Sequence, residues 1–86
     1  MAVLTTIVSP IDAATYDQMI VHHEPHLRQQ AGFRFHYAQP SGDGWLISEI
    51  WDSQEAYADW FNTYIKPNLP FEVQPTVTPI HHTIAS

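Results

Sequence analysis

The segment 44–67, GWLISEIWDSQEAYADWFNTYIKP, constrains the fold of this chain more than any other part of it. Side chains of alternating character run through residues 45–51, which is the period of a β-strand. Asp52 then supplies an N-cap oxygen, and Glu55 three residues later completes the pattern of a capping box. Pro67 is expected to end the helix. The segment therefore predicts a strand that leads directly into a capped helix.

One face of this predicted helix is aromatic. Its members follow the helical spacing i, i+3, i+4 and i+7: Tyr57, Trp60, Phe61 and Tyr64. Such a face either lines a pocket for a flat organic molecule or belongs to the hydrophobic core. The core is the more common role of aromatic residues at this spacing.

The first half of the chain predicts a strand, a helix and a hairpin. Residues 3–8 are rich in β-formers, and Asp12 can cap a helix that follows them. Because Pro25 lies inside that helical run, the helix is expected either to stop near His23 or to bend. Residues 33–39 predict the second strand, which the turn-forming segment 40–44 connects to the third. Three aromatic residues are expected on one side of this second strand: Phe33, Phe35 and Tyr37.

The last strand is predicted over residues 76–84, and Pro79 makes it an edge strand or places a bulge in it. The resulting order is β-α-β-β-α-β over one domain, residues 1–86. That order is typical of the α+β, ferredoxin-like fold, a four-stranded antiparallel sheet with both helices on one face. The third strand has large apolar side chains on both sides, so the second face of the sheet also needs cover. A chain of this length buries only about 60–65% of its unfolded surface, and we expect a homodimer packed sheet against sheet.

Composition excludes several classes of partner. Three Lys and Arg residues stand against nine Asp and Glu, a net charge of −6, which disfavours nucleic acids and anionic membrane surfaces. No apolar run approaches the ~20 residues of a membrane span. No leader segment with a basic start is evident, and we expect a cytoplasmic protein. The chain has no cysteine, which excludes disulfides, thiolate catalysis and zinc–thiolate sites.

The six histidines are the main chemical signal. His22 and His26 have the i, i+4 spacing of a two-ligand metal site, but Pro25 disturbs that turn, so a solvated polar face is favoured and no metal site is predicted. His81 and His82 point to opposite sides of the last predicted strand. His82 shares its side with two isoleucines and is expected in the core.

Residues 49–57, EIWDSQEAY, resemble the E-x-W-x-S-x-E-A-hydrophobic signature of the antibiotic biosynthesis monooxygenase (ABM) family. Members of that family are dimeric α+β barrels of ferredoxin-like subunits, and element order and length match over essentially the whole chain. The resemblance implies several activities. Relatives include cofactor-free monooxygenases that oxidise phenolic or quinol-like polycyclic substrates with dioxygen, haem-degrading oxygenases and proteins of no assigned activity. Related dimeric barrels perform aldol cyclisation of polyketides.

The haem-degrading branch can be compared residue by residue. Trp60 falls where that branch has a tryptophan that presses on the porphyrin. Its iron-ligating histidine, ten residues further on, is replaced here by Pro70, and residues 3–8 lack its asparagine. Since no nucleotide-binding signature occurs either, we expect neither haem nor flavin and no tightly bound cofactor.

The function favoured by the resemblance is a small cofactor-independent enzyme, most simply a monooxygenase, acting on a hydrophobic aromatic, quinol-like or polyketide-like molecule. A polyketide-type cyclase and a non-catalytic small-molecule-binding or accessory protein are the alternatives. Both the monooxygenase and the cyclase reaction need a base, and imidazole is suited to that role at neutral pH. The acid/base candidates are His36 and His81, followed by His23.

The predicted pocket lies between the helices and the sheet. Its expected substrate-binding residues are aromatic: Trp60, Tyr57, Phe35, Trp51 and Tyr64. Glu49 shares a strand face with tryptophans, where an unpaired carboxylate is costly, so Arg34 or a histidine is expected to pair with it. Strand alternation shows which residues share a face, but leaves open which face meets the helices.

Overall fold

The computed structural model describes residues 1–69 and 72–84. The elements follow the predicted β-α-β-β-α-β order: β1 (Val3–Ser9), α1 (Ala13–Leu27), β2 (Phe33–Ser41), β3 (Gly44–Trp51), α2 (Gln54–Trp60) and β4 (Thr76–Pro79). After α2 the helix continues as a π-helical turn, Phe61–Ile65, and a 3₁₀ turn, Lys66–Asn68. The strands form one sheet in the order β2-β3-β1-β4, and every strand pair is antiparallel. The predicted ferredoxin-like α+β fold is confirmed.

Helix α1 begins as predicted and extends further. The Asp12 side chain accepts a 2.8 Å hydrogen bond from the backbone N–H of Thr15. The helix passes through Pro25 and ends at Leu27, so the predicted stop near His23 is wrong. Pro25 is tolerated because it lies in the last turn, where its missing N–H removes a single backbone bond.

The helix after β3 departs from the prediction at both ends. The N-cap is Ser53, whose hydroxyl accepts a 3.1 Å bond from Ala56, whereas Asp52 instead pairs with Arg34. Pro67 does not end the helical run but lies inside its 3₁₀ turn. A proline at the start of such a turn costs little, since its N–H would have no partner there.

The hairpin turn and the last strand are both shorter than predicted. Ser41 pairs with Gly44, leaving a two-residue turn in which Gly42 has a positive φ of 58°. Strand β4 is an edge strand, as predicted, but it ends at Pro79, which has no N–H to continue the ladder. Residues 80–84 lie outside the sheet, and His82 is exposed instead of buried in the core.

The side of the sheet that meets the helices carries the core. Its buried members come from both sheet and helices: Val3, Leu27, Trp51, Tyr57 and Trp60. We call the opposite side the open face, defined by the exposed residues Val8, Phe35 and Tyr37 and by Leu4, Leu46 and Ile50. No helix of the described residues is long and apolar enough to cross a membrane.

A β-bulge in β2 interrupts the alternation of side chains along that strand. Phe33 pairs with Trp51 and Phe35 with Ile50, so Arg34 is the extra residue. Phe33 therefore packs on the helix side, whereas Phe35 lies on the open face, 54% exposed, and His36 pairs with Glu49 on the helix side. The predicted unbroken alternation put Phe33 and Phe35 on one side, so the prediction of Phe35 in the pocket is wrong.

Candidate active site

A cleft lies between the sheet and the two helices, at the predicted location. Its polar lining is confined to Thr5, Ser9, Tyr16, His23, His36, Glu49 and Tyr57, and apolar side chains supply the rest of the wall. The volume that the centre of a water molecule can occupy is about 60 Å³, whereas the whole cleft with its opening to solvent contains about 670 Å³. Closed pockets for drug-sized ligands measure roughly 300–1,000 Å³. The inner part of the cleft is therefore matched to a compact ligand or to part of a larger one.

Glu49 is the most buried charged residue of the cleft, with 7% of its surface exposed. Its Oε2 lies 2.7 Å from His36 Nδ1, and its Oε1 accepts a 2.9 Å bond from Trp51 Nε1. An ionised carboxylate only accepts hydrogen bonds, so the proton of this pair lies on Nδ1. Both oxygens are thus satisfied, which offsets the cost of burying the charge. Of the two predicted partners for Glu49, the structure selects the histidine.

His36 connects Glu49 to a tyrosine that sequence reasoning missed. The Tyr16 hydroxyl lies 2.6 Å from His36 Nε2. Because Nδ1 carries the proton, Nε2 accepts from the phenol. Burial, and then the charge of Glu49, raises the pKa of Tyr16, so the phenol stays protonated at neutral pH. We call these three hydrogen-bonded side chains, Glu49–His36–Tyr16, the relay.

Tyr57 contributes a second phenol to the cleft lining, from α2. The residue is 4% exposed, and its hydroxyl oxygen has no hydrogen-bond partner among the described residues. Burial raises the pKa of Tyr57, and the charge of Glu49 raises it further, with a smaller opposing contribution from the Thr5 hydroxyl. Tyr57 is therefore a buried, protonated donor.

His23 lines the cleft from α1 and lies edge-on to Trp60, with ring centroids 6.2 Å apart. Burial lowers the pKa of His23, and the neighbouring rings of His22 and His26 lower it further. A neutral imidazole is thus favoured at this position. Among residues 1–69 and 72–84, no group of three or more His, Cys, Asp or Glu is placed to hold a metal ion.

The structure brings four of the predicted site residues to the cleft: His36, His23, Trp60 and Tyr57. Trp51 is fully buried behind the wall and acts through its bond to Glu49. Tyr64 stacks on Trp60 at 4.9 Å but lies outside the lining. Phe35 lies on the open face, where it pairs with Ile50.

His81 lies away from the cleft. It follows the end of β4, is exposed and borders a separate depression near Met1 and Arg34. Its predicted place on a strand required β4 to continue beyond Pro79. The signal for Tyr16, by contrast, was present in the sequence, because Tyr16, Met19, Ile20 and His23 share one side of α1 at helical spacing.

No protein-family model matches the chain, and no curated protein matches it in sequence. Solved structures nevertheless share its fold. The chain is similar to a haem-free structure of the heme-degrading protein MhuD from Mycobacterium tuberculosis, with 14% identity, a TM-score of 0.74 and coverage of 100% of this chain and 98% of that chain. It is also similar to a proposed antibiotic biosynthesis monooxygenase from Deinococcus radiodurans, with 19% identity, a TM-score of 0.64 and the same coverage of 100% and 98%.

A third similar structure is SnoaB, a cofactor-independent oxygenase from Streptomyces nogalater, with 11% identity, a TM-score of 0.63 and coverage of 99% and 96%. The chain thus has the fold of the ABM-like proteins, which confirms the predicted resemblance at the level of architecture. At identities this low, fold does not establish activity.

Proposed function

We propose that this chain is a small cofactor-independent monooxygenase that acts on a compact aromatic, quinol-like molecule. The observation that carries the proposal is the relay, a buried carboxylate–imidazole–phenol chain at the wall of an otherwise apolar cleft. Oxygenation without a cofactor needs a base that converts the substrate into an electron-rich anion. The relay supplies one where water is largely excluded.

Proton removal starts at Tyr16, because the Tyr16 hydroxyl occupies Nε2 of His36. Tyr16 passes its own proton to Nε2 and takes the proton of the substrate. The substrate is left as an anion and His36 as an imidazolium, which Glu49 holds through Nδ1. His36 is fixed on a paired strand, as a proton acceptor must be.

The anion then donates electrons to dioxygen. In the balanced reaction the quinol loses four electrons to dioxygen: one oxygen atom enters a ring C–H bond as a hydroxyl group, the quinol becomes a hydroxyquinone, and the other oxygen atom leaves as water with two hydrogens. Trp60, which is 2% exposed, and the apolar wall hold the ring and keep water from the anion. His81 is too far from this cleft to share the chemistry, so the proposal assigns the base to His36.

The described residues do not fit a haem. The inner part of the cleft, about 60 Å³, is too small for a porphyrin, and both ring nitrogens of His36 are engaged by protein groups. Pro70, which stands where the haem-degrading branch has its ligand, lies outside the described residues. We therefore propose no cofactor and derive no step through one. Titration with hemin tests this, since a Soret band at near-unit stoichiometry would contradict it.

We further propose that the protein is a homodimer joined through the open face. Phe35 and Val8 are 54% and 63% exposed in the single subunit, and Leu46 and Ile50 continue the same apolar surface. A β-sheet face of this character is normally covered, and a second copy is a self-complementary cover. Light scattering at micromolar concentration tests the mass.

Incubation with a panel of one- and two-ring quinols tests the activity, with and without dioxygen. A monooxygenase converts the quinol only in the aerobic sample, with one oxygen atom of ¹⁸O₂ recovered in the product. Ring closure in both samples would instead indicate a cyclase. Binding without conversion in either sample would indicate a ligand-binding protein and contradict the proposal.

A further inference from the structure

Among the described residues, the Tyr57 hydroxyl is the one fully buried polar group of the cleft lining that has no hydrogen-bond partner. Glu49, His36 and Tyr16 are each hydrogen-bonded within the relay. Tyr57 Oη is buried without a partner among the described residues, although its ring is packed tightly between Trp51 and Phe61. Buried polar groups in folded proteins nearly always have a partner. An unpaired phenol at a cleft wall is therefore placed to bind something that enters the cleft.

The local geometry fixes the Tyr57 side chain. Its ring centroid lies 6.0 Å from that of Trp51 and 5.9 Å from that of Phe61. With the residue only 4% exposed, these contacts hold the ring inside the fold. The Thr5 hydroxyl is a neighbour of Tyr57, and it donates its own proton in a long 3.5 Å contact with the Glu49 carbonyl. No hydrogen bond joins it to Tyr57 Oη, so among the described residues the phenol proton is left for a guest.

The charge of the cleft restricts the guest. Glu49 is a buried carboxylate, the remaining wall is nearly all apolar, and the described residues of the lining include no Lys or Arg. A carboxylate or phosphate brought into this cleft would lose its hydration and meet a like charge. An uncharged ring has little hydration to lose and is not repelled by the charge of Glu49. A single ring also matches the limited inner volume of about 60 Å³ better than a fused polycycle.

We propose that the Tyr57 hydroxyl donates a hydrogen bond to a carbonyl or hydroxyl oxygen of the ligand, and that the cleft selects uncharged single-ring aromatic compounds carrying such an oxygen. The inference deepens the proposed function, because an oxygen anchored at Tyr57 is stabilised as its negative charge grows when the relay removes a proton. It concerns binding alone, however, and is tested without dioxygen and without turnover.

Three probes of nearly equal shape separate the contributions. Acetophenone carries a carbonyl oxygen. α-Methylstyrene has a CH₂ group in place of that oxygen, and benzoate has a charged oxygen in place of the methyl group. Calorimetric titration of the intact protein gives a dissociation constant for each. We expect benzoate to bind at least tenfold more weakly than acetophenone.

Tyr57→Phe removes the hydroxyl and keeps the ring. We expect it to weaken acetophenone binding by about three- to tenfold and to leave α-methylstyrene binding within twofold. Tyr64→Phe is the matched control, since it deletes the same atom seven residues later in the helical run and outside the cleft lining. It is expected to change neither constant. Circular dichroism and a thermal melt of each variant verify that it folds.

The inference is overturned if Tyr57→Phe changes the two neutral probes equally, if benzoate binds as tightly as acetophenone, or if the wild type binds no acetophenone. If the probes bind as expected but the wild type oxidises no quinol, the monooxygenase proposal is refuted and the inference about Tyr57 still stands. The two failures are therefore distinguishable.

Discussion

The two faces of the sheet distribute polarity in opposite ways. The face covered by helices holds a carboxylate and an imidazole, beside two phenols of the helices, whereas the open face presents Phe35, Tyr37 and Val8 to solvent. A soluble α+β sheet would normally show the reverse. The contrast shows that the polar side chains of the covered face surround the cleft. The open face, by contrast, has apolar side chains that nothing in the single chain covers.

The sharpest test of the covered face is His36→Ala. Without the imidazole Tyr16 has no acceptor for its proton, so we expect turnover of the responsive quinol to fall by about 10²–10⁴-fold. Steady-state kinetics measures this, with folding checked by circular dichroism. His81→Ala, which alters an exposed imidazole outside the cleft, serves as the control and should retain near-full activity. Equal activity in both variants would refute the relay.

The open face is tested by Phe35→Glu. If the face joins two copies, a charge placed there must be buried without a partner, so we expect the dimer dissociation constant to rise about 100-fold. Analytical ultracentrifugation over a concentration series measures it. Val21→Glu makes the same change at an apolar side chain that is 76% exposed on α1, and should leave the dimer intact. A wild type that is monomeric at micromolar concentration would contradict the proposed dimer.

A smaller effect concerns pH on the covered face. Because the folded state holds the pKa of His23 below its ordinary value of 6.5, the unfolded chain binds a proton there first as the pH falls. Stability is therefore unaffected by this group above pH 6.5 and declines below it. We expect urea midpoints between pH 7.5 and pH 5.5 to fall less in His23→Gln than in the wild type. His82→Gln, at an exposed histidine, should follow the wild type.

The smallest effect compares one unpaired hydroxyl from each face. Tyr57 Oη and Ser48 Oγ are both buried without partners among the described residues, the first on the covered face and the second on the open face. Deleting an unpaired donor loses no hydrogen bond, so Tyr57→Phe and Ser48→Ala should each change the free energy of unfolding by less than about 1 kcal/mol. Denaturant titration measures this. A loss of 2 kcal/mol or more in either variant would mean that the hydroxyl has a protein partner.

The sequence was sufficient to predict the architecture, and four of the eight predicted site residues line the cleft. Period-two alternation, the cap at Asp12 and the turn residues before Gly44 are local signals, and they predicted the element order correctly. The contact between His36 and Glu49 was available only as one of two alternatives, because a cross-strand pair depends on register, which alternation alone does not fix.

The misplaced residues share one physical cause, since each depends on where regularity breaks. Phe35 was assigned to the cleft because a bulge leaves no clear local signature in the sequence. His81 was assigned to a strand that its own preceding proline ends. The choice of Ser53 over Asp52 as the cap follows from Arg34, whose guanidinium competes for the Asp52 carboxylate.

The bulge at Arg34 also bears on how this strand pair would be recognised in other sequences. The pairing of His36 with Glu49 is counted from the two-residue turn after Ser41, so their separation of thirteen positions does not include Arg34. Phe33 and Trp51 pair beyond the bulge, so their separation of eighteen positions contains the extra residue. A relative with a regular strand would make the Phe33–Trp51 pair with one residue fewer. A pattern search that keeps the spacing of His36 and Glu49 fixed should therefore allow a gap at the position of Arg34.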